Sequence, residues 1–176
     1  MNQKILFLDR DGVINIDTDY LYRVEDVVFV PHIFTLCAAA QARGYRIALI
    51  TNQSGIARGM FTHDDVQHLH RYMCATFAEA GVRIDTVYYC PHLTQQSECL
   101  CRKPHGLLFE RAAAELGGVF RQSIAIGDKE RDLAAVKRHG GTTILFREGG
   151  SDLTPPSAAT DFCVSSLADA IPYLLS

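Results

Sequence analysis

The sequence predicts an α/β protein with a three-layer parallel sheet. Short apolar runs such as 5–8 and 47–50 alternate with longer segments whose apolar residues recur at helical spacing. The first run is apolar at every position, which is typical of a strand that is covered on both faces. A chain of 176 residues is long enough to bury its own core. We therefore expect one Rossmann-like domain over residues 1–176.

The predicted elements alternate along the chain. The strand at 5–8 is followed by a segment, 13–30, that is neither clearly helical nor a simple loop, and we interpret it as a flap beside the functional site. A helix from about Pro31 to Arg43 ends at Gly44, because proline favours a first helical turn and glycine a helix end. The later elements are predicted as a strand at 46–50, a helix at 62–81, a strand reached through 82–89, a helix at 107–116, a strand at 123–126, a helix at 130–139, strands at 143–146 and 162–164, and a helix at 167–175.

Two of these assignments depend on local signals. Thr62 followed three residues later by Asp65 forms a variant capping box, which predicts the start of the longest helix. The stretch 148–160 is rich in Gly, Pro, Ser and Thr, and it is predicted to be an exposed loop.

Composition excludes several classes of function. The net charge of −3 gives no electrostatic footprint for nucleic acid, and no apolar stretch approaches the length of a membrane span. Residues 1–4 lead into a strand without a long apolar signal region. We expect a cytoplasmic protein, a monomer, with no nucleic-acid partner and no membrane partner.

The first strand ends in the sequence Asp9-Arg10-Asp11-Gly12. Alternation along an extended chain sends neighbours i and i+2 the same way, so Asp9 and Asp11 can converge on one cation or one phosphate. Ligand crevices of open α/β sheets lie beyond the carboxyl ends of the strands. A polar turn after a strand is the competing interpretation, because Asp and Gly are ordinary turn residues.

Polar clusters also follow three later apolar segments. Thr51 follows the second strand, Lys103 follows a cysteine-rich segment, and Asp128 lies in Gly127-Asp128-Lys129 after the fourth strand. A parallel sheet gathers the carboxyl ends of its strands at one edge. Acids, a hydroxyl and an ammonium group at that edge would form a set for phosphoryl transfer.

The cysteine-rich segment 90–101 holds four residues that can bind a metal ion, namely Cys90, His92, Cys99 and Cys101. Such a set suits a closed tetrahedral Zn²⁺ site. The zinc would be structural, because protein ligands fill all four positions, and it would stiffen the loop that carries Lys103. Reduced surface thiols or a disulfide remain alternatives. Cys37, Cys74 and Cys163 lie in helix or strand patterns and are assigned no role.

The four motifs between Asp9 and Asp132 resemble, in order and spacing, those of the haloacid dehalogenase-like (HAD) phosphatases. The resemblance implies that Asp9 is the nucleophile, that Asp11 is the general acid and base, and that Thr51 and Lys103 stabilise the phosphoryl group. It also implies that Asp128, together with Asp9 and Asp11, binds a catalytic Mg²⁺, and that Asp132 supports that site from behind the metal ligands.

Within this family, the segments 9–15, 51–59 and 101–104 resemble the heptose bisphosphate phosphatases, which remove the C7 phosphate of heptose 1,7-bisphosphate for lipopolysaccharide or related glycans. The partner implied is a small phosphorylated sugar. Arg102 would suit the remaining phosphate, because its planar fork forms bidentate hydrogen bonds to phosphate oxygens. The substrate contacts implied by the resemblance are Asp17, Tyr20, Asn52, Gln53, Ser54, Arg102 and Lys129.

Other functions remain open at this level. The segment 103–108 is one residue shorter than the matching segment of the heptose enzymes, which favours the sister histidinol-phosphate phosphatases. The segment 51–59 matches the heptose enzymes closely, and on balance we favour the heptose bisphosphate. A non-catalytic protein that binds zinc and a phosphosugar is a further alternative, although the complete set of five motif residues argues against it. Neither gap between motifs is long enough for a large cap domain, so we expect an open site.

Overall fold

A computed structural model describes residues 2–93 and 98–174. The strands are β1 Lys4–Leu8, β2 Tyr45–Asn52, β3 Thr86–Cys90, β4 Ile124–Gly127, β5 Thr142–Phe146 and β6 Phe162–Val164. The α-helices are α1 Ile33–Ala42, α2 His63–Glu79, α3 Leu107–Leu116 and α4 Glu130–Arg138. Three short 3₁₀ helices cover Val24–Asp26, Phe120–Gln122 and Leu167–Tyr173.

The six strands form one sheet in the order β3-β2-β1-β4-β5-β6, and all neighbours are parallel. The chain builds the sheet outward from β1 to β3, then returns to the other side of β1 to add β4, β5 and β6. The direction of building reverses between β1 and β4, and such a switch point opens a crevice beyond the carboxyl ends of the two strands. The fold therefore places its ligand crevice directly after β1.

The sheet separates two apolar cores. Side chains alternate along β1, so that Leu6 and Leu8 pack into one core while Ile5 and Phe7 pack into the other. The first core includes residues of α1 and of the C-terminal 3₁₀ helix, and the second includes residues of α3 and α4. This arrangement confirms the predicted three-layer α/β fold and explains why β1 is apolar at every position.

The structure departs from the sequence expectations at two element boundaries. Helix α1 begins at Ile33 rather than at Pro31, because His32 adopts a left-handed conformation with φ of 68°. Strand β3 begins at Thr86, within the stretch expected to lead into it, and Oδ2 of the preceding Asp85 accepts a hydrogen bond from the backbone nitrogen of Ile47 at 2.9 Å. The last helix is a 3₁₀ helix that ends at Tyr173 and contains Pro172; the expected end at Leu175 lies outside the described residues.

The segment 13–30, named the flap, folds over the switch point. Isolated bridges join Asn15 to Asp11 and to Phe29, and the buried side chain of Leu21 packs against α2. The described residues contain no large cap domain. Among them, no helix has the length and apolar character needed to cross a membrane.

Candidate active site

The carboxyl ends of the three central strands bring the first motif residues together. Asp9 leaves β1, Thr51 is the penultimate residue of β2, and Asp128 directly follows β4. The backbone nitrogen of Asp9 donates a hydrogen bond to the carbonyl of Ile126 at 3.1 Å, which continues the β1-β4 pairing by one residue. The sheet itself thus fixes the position of Asp9.

Two glycines allow the backbone to approach the acidic side chains. Gly12 has a φ of 84°, and a Cβ atom there would lie 2.7 Å from Oδ2 of Asp128. A Cβ atom at Gly127 would lie 2.5 Å from Cβ of Asp132. A larger residue at either position would displace an acid of the site.

Lys103 is the cation at the centre of these acids. Its side chain is 1% exposed, and its Nζ lies 2.7 Å from Oδ1 of Asp9 and 2.9 Å from Oδ1 of Asp132. The ammonium group also donates a hydrogen bond to the carbonyl of Ile50 at 2.9 Å. The ammonium group therefore lies among two carboxylate oxygens and one carbonyl oxygen, which stabilise its buried charge. The amide side chain of Asn52 holds the backbone of Lys103 through hydrogen bonds of 3.1 and 3.3 Å.

Asp132 belongs both to a helix cap and to the site. Its Oδ2 accepts a hydrogen bond from the backbone nitrogen of Lys129 at 3.1 Å, which caps α4, while its Oδ1 pairs with Lys103. Burial raises the pKa of this carboxyl, but the charge and hydrogen bond of Lys103 outweigh that effect and leave the pKa lowered. Asp132 is therefore a carboxylate at neutral pH.

The balance is different at Asp9. Burial and the neighbouring charge of Asp132 raise the pKa of Asp9 to about 8, against the opposing effect of Lys103. Burial also raises the pKa of Asp128. Lys103 pairs with Asp9 and Asp132, and Lys129 pairs with Asp128, yet the raised pKa values of Asp9 and Asp128 show that these cations do not fully offset burial and mutual repulsion.

The raised pKa values of Asp9 and Asp128 and the grouping of their carboxylate oxygens suit a site for a divalent cation. Oxygen atoms of Asp9, Asp128 and Asp132 lie within 4.8 Å of one another. Within the described part of the chain, Oδ1 of Asp128 is buried and has no hydrogen-bond partner. Carboxylate oxygens are the ligands that Mg²⁺ prefers. Two of the three predicted Mg²⁺ ligands, Asp9 and Asp128, belong to this group.

The carboxylate of Asp11, the third predicted ligand, is held by other groups. It accepts hydrogen bonds from Nε and Nη2 of Arg10 at 3.0 and 2.9 Å, from Nδ2 of Asn15 at 3.0 Å and from Nε2 of Gln53 at 2.9 Å. The same Gln53 nitrogen donates to Oγ1 of Thr51 at 2.9 Å. Asp11 still faces the crevice, with 22% of its side chain exposed.

The crevice is a polar cavity of about 260 Å³ at this edge of the sheet. All of the predicted catalytic residues and substrate contacts line it, namely Asp9, Asp11, Thr51 and Lys103 together with Asp17, Tyr20, Asn52, Gln53, Ser54, Arg102 and Lys129. Lys129 pairs with Asp128 at 3.0 Å and lies 3.6 Å from Asp17 of the flap. The flap and the strand ends therefore form one site.

The cavity is also lined by two cationic residues that were not predicted from the sequence, Arg58 and Arg131. The guanidinium of Arg58 lies over the ring of Tyr20, 5.9 Å from its centroid. Arg58 lies within the segment 51–59 that carried the resemblance, and Arg131 follows the Gly-Asp-Lys motif. Their positive charge was the available signal, but lysine and arginine are usually solvated, and only the fold brings these two to the cavity.

The four predicted zinc ligands also lie together. Sγ of Cys90 lies 3.7 Å from Sγ of Cys99 and 3.1 Å from Sγ of Cys101, while Nδ1 of His92 lies 3.5 and 3.3 Å from Sγ of Cys90 and of Cys101. The ligand atoms of a tetrahedral Zn²⁺ site with Zn–S bonds of ~2.3 Å are about 3.8 Å apart. All six cysteines, every one of them among the described residues, are free thiols. The set fits a closed Zn²⁺ site better than a disulfide, whose sulfur atoms are about 2.05 Å apart.

The cysteine cluster is joined to the cavity through Arg102. This residue lies between Cys101 and Lys103 in sequence, and its Nη1 donates a hydrogen bond to the carbonyl of His92 at 2.9 Å. Part of the loop, residues 94–97, lies outside the described residues. The cluster therefore fixes one end of the segment that supplies both Arg102 and Lys103.

A parallel sheet with buried aspartates, a lysine and a hydroxyl at its switch point defines a class of phosphoryl-transfer enzyme. Residues 100–170 match the HAD-hydrolase-like family model. The whole chain is similar to a D-glycero-beta-D-manno-heptose-1,7-bisphosphate 7-phosphatase of Haemophilus ducreyi, with 38% identity over 99% of this chain and 100% of the relative. It is 45% identical to the corresponding alpha-heptose enzyme of Campylobacter jejuni, over 84% of this chain and 85% of that one.

Solved structures agree with the sequence relatives. The crystal structure of D,D-heptose 1,7-bisphosphate phosphatase from B. bronchiseptica, complexed with magnesium and phosphate, has a TM-score of 0.83 and 28% identity, and the match covers 98% of each chain. The protein belongs to the HAD-like phosphatase family, among relatives that are heptose-bisphosphate 7-phosphatases. It is a phosphoric monoester hydrolase.

The close approach at Gly12 gives a prediction. We expect Gly12→Ala to lower the free energy of unfolding by at least ~1 kcal/mol more than Gly44→Ala. Both residues have a positive φ, 84° and 82°, which costs about 1–2 kcal/mol for a residue with a Cβ atom, but Gly44 has no atom within 4 Å of its Cβ position. Urea denaturation of the two variants measures the difference. Equal losses would contradict the prediction, because they would show that Asp128 moves away from the new methyl group with no loss of stability.

Proposed function

We propose that this enzyme removes the C7 phosphate of a D-glycero-D-manno-heptose 1,7-bisphosphate, in a Mg²⁺-dependent reaction with an aspartyl-phosphate intermediate. One observation carries the proposal: the carboxylate of Asp9 lies at the base of a cation-lined cavity, held by Lys103 and grouped with Asp128 and Asp132. The similarity to the heptose enzymes over nearly the whole chain supports the choice of substrate.

Asp9 is the proposed nucleophile. It is 11% exposed, so one carboxylate oxygen can reach a phosphorus atom in the cavity while Lys103 holds the other. In-line attack forms an acyl phosphate on Asp9 and breaks the bond between phosphorus and the leaving oxygen. Lys103 and the hydroxyl of Thr51 stabilise the charge that spreads over the phosphoryl oxygens.

Asp11 is the proposed general acid and base. In its protonated form it gives a proton to the leaving sugar oxygen, and it then takes a proton from the water that hydrolyses the acyl phosphate. Its hydrogen bonds to Asn15 and Gln53 hold the carboxyl group at the cavity wall.

Mg²⁺ is the cofactor in this proposal. Asp9 and Asp128, with Asp132 in the same cluster, would hold the ion, and a role for Asp11 as a ligand remains a prediction. When bound, a divalent cation keeps Asp9 ionised and neutralises charge on the phosphoryl oxygens. The structure of the B. bronchiseptica enzyme, complexed with magnesium and phosphate, supports this cofactor.

The charges around the cavity suit a substrate with two phosphate groups. Arg58, Arg102, Lys129 and Arg131 line the cavity in addition to the buried Lys103. We assign the second phosphate to Arg102, whose guanidinium fork can bind two phosphate oxygens at once. A monophosphate such as histidinol phosphate has no second phosphate group for Arg102 to bind.

Zn²⁺ is proposed as a structural ion in the loop 90–101. Burial raises the pKa of Cys90, so without a metal ion this thiol stays protonated at neutral pH, whereas a bound Zn²⁺ holds it as the thiolate. The ion would have no open position for water, and its effect on catalysis would pass through the placement of Arg102 and Lys103.

The nucleophile is tested with Asp9→Asn. We expect the turnover number to fall by at least about 10⁴-fold, because an amide cannot form the acyl phosphate. The melting temperature of the metal-free protein should not fall, since the raised pKa of Asp9 means that a neutral amide replaces a largely protonated carboxyl group. The exposed, remote Asp169→Asn serves as the matched control with parental activity. Near-parental phosphate release by Asp9→Asn would exclude the mechanism.

The substrate is tested by comparing kcat/KM for both anomers of heptose 1,7-bisphosphate with kcat/KM for histidinol phosphate. We expect kcat/KM to be at least about tenfold higher for one of the bisphosphates. Arg102→Ala should lower this preference, because it raises KM for the bisphosphate. The exposed Arg43→Ala, remote from the cavity, is the control. Faster turnover of histidinol phosphate by the parent would favour the sister activity instead.

Zinc is tested by metal analysis of freshly purified protein. We expect about one zinc per chain, and Cys99→Ser should lose the ion and several degrees of melting temperature, because binding free energy contributes to folding. Cys74→Ser removes a half-buried thiol outside the cluster and should keep the zinc. Zinc-free parental protein of normal stability would contradict the site.

A further inference from the structure

We propose that Arg10 is a positioning residue for proton transfer, which fixes the orientation of the Asp11 carboxylate and connects it to the flap. The proposal rests on the proposed function, in which Asp11 is the general acid and base. Arg10 is the residue between the two aspartates of the first motif, and the mechanism above gives it no role.

The burial of Arg10 is the first observation. Its side chain is 0% exposed, although it carries a full charge. Such burial is costly unless the charge is paired and its donors are satisfied. Nε and Nη2 of the guanidinium bind the two oxygens of Asp11 at 3.0 and 2.9 Å, a bidentate contact that fixes the plane of the carboxylate.

The second observation is the contact with the flap. Nη2 of Arg10 also donates a hydrogen bond to the backbone carbonyl of Leu21 at 2.9 Å. The side chain of Leu21 is buried against Leu69 and Met73 of α2. A single guanidinium thus joins the carboxylate of Asp11 to the anchored part of the flap, while Asp17 and Tyr20 of the same flap line the cavity.

His70 completes the set of partners. Its Nε2 lies 3.4 Å from Nη1 of Arg10. Burial and the charge of Arg10 lower the pKa of His70 to about 3, so the imidazole is neutral at physiological pH and its Nε2 can accept a hydrogen bond from Nη1. The histidine supports the arginine from α2 and carries no competing charge.

Arg10 acts through Asp11 because it does not reach the cavity. Asp11 lines the cavity, whereas Arg10 and His70 do not. A guanidinium group has donors only, so it cannot itself take up a proton from the leaving group or from water. The backbone nitrogen of Arg10 donates a hydrogen bond to Asp9 at 2.7 Å, but the side chain contacts only Asp11, Leu21 and His70, so an effect of the side chain passes through the orientation of Asp11 or the position of the flap.

Substrates with different leaving groups distinguish a role of Arg10 in proton transfer from a role in stability alone. When Asp9 attacks phosphorus, the electron pair of the broken bond goes to the leaving oxygen. A sugar alkoxide needs the proton of Asp11 at that moment, whereas p-nitrophenolate leaves without it. Misplacing Asp11 must therefore slow the sugar substrate more than the aryl phosphate.

The test is Arg10→Lys, which keeps the charge but loses the bidentate fork. We expect kcat/KM for heptose 1,7-bisphosphate to fall by about 100-fold and kcat/KM for p-nitrophenyl phosphate by less than about fivefold. Since kcat/KM reports the steps up to formation of the acyl phosphate, later hydrolysis does not affect the comparison. Adding Arg10→Lys to Asp11→Asn should cause little further loss, because both changes act on one group.

Two further variants cover the case that Arg10→Lys does not fold. His70→Phe removes the acceptor for Nη1, so it should lower kcat/KM for the sugar substrate more than for the aryl phosphate, by a smaller factor than Arg10→Lys. His70→Gln supplies another acceptor and should restore the parental kcat/KM. Leu36→Ala, in the core packed around α1, should lower stability with no difference between the two substrates.

The outcomes are distinct. Equal losses on both substrates by the Arg10 and His70 variants, or additive losses in the double variant with Asp11→Asn, would overturn the positioning role and leave the phosphatase mechanism intact. A parental protein without activity on either phosphoester would overturn the proposed function itself, and the positioning role with it.

Discussion

The site depends on the pairing of one buried ammonium group with more carboxylates than it can neutralise. Lys103 binds Asp9 and Asp132, and its remaining donor binds a carbonyl at the end of β2. This arrangement fixes the attacking carboxylate, and the raised pKa values of Asp9 and Asp128 show that a further cation beside them would be favourable. The unsatisfied oxygen of Asp128 is the sign of that incomplete balance.

The position of Lys103 has two independent supports. Asn52, at the end of β2, holds its backbone, and the cluster of Cys90, His92, Cys99 and Cys101 fixes the loop that leads to it. Lys103 lies in a loop outside the sheet, yet its ammonium group must be placed accurately relative to Asp9 at the end of β1. The proposed zinc would add its binding free energy to the stability of this loop.

Sequence and structure agree most closely where one residue type has one physical use. The apolar run of β1 predicted a strand covered on both faces, and Thr62 with Asp65 predicted the start of α2, where the structure has a capping box. The four ligands of the cysteine cluster were recognised because cysteine and histidine at short spacing serve few other purposes. Some element boundaries were less accurate, such as the start of α1 at Ile33 rather than at Pro31.

The sequence alone determined the fold class, the HAD-type motif set and the residues that lie together at the sheet edge, because apolar periodicity follows from local patterns and a parallel sheet gathers the carboxyl ends of its strands at one edge. Only the tertiary structure decided how these residues divide into groups. It placed Asp132 beside Asp9 and Asp128, turned the carboxylate of Asp11 towards Arg10, and brought Arg58 and Arg131 to the cavity. Those outcomes depend on side-chain distances of a few ångströms across separate elements, which no spacing along the chain encodes.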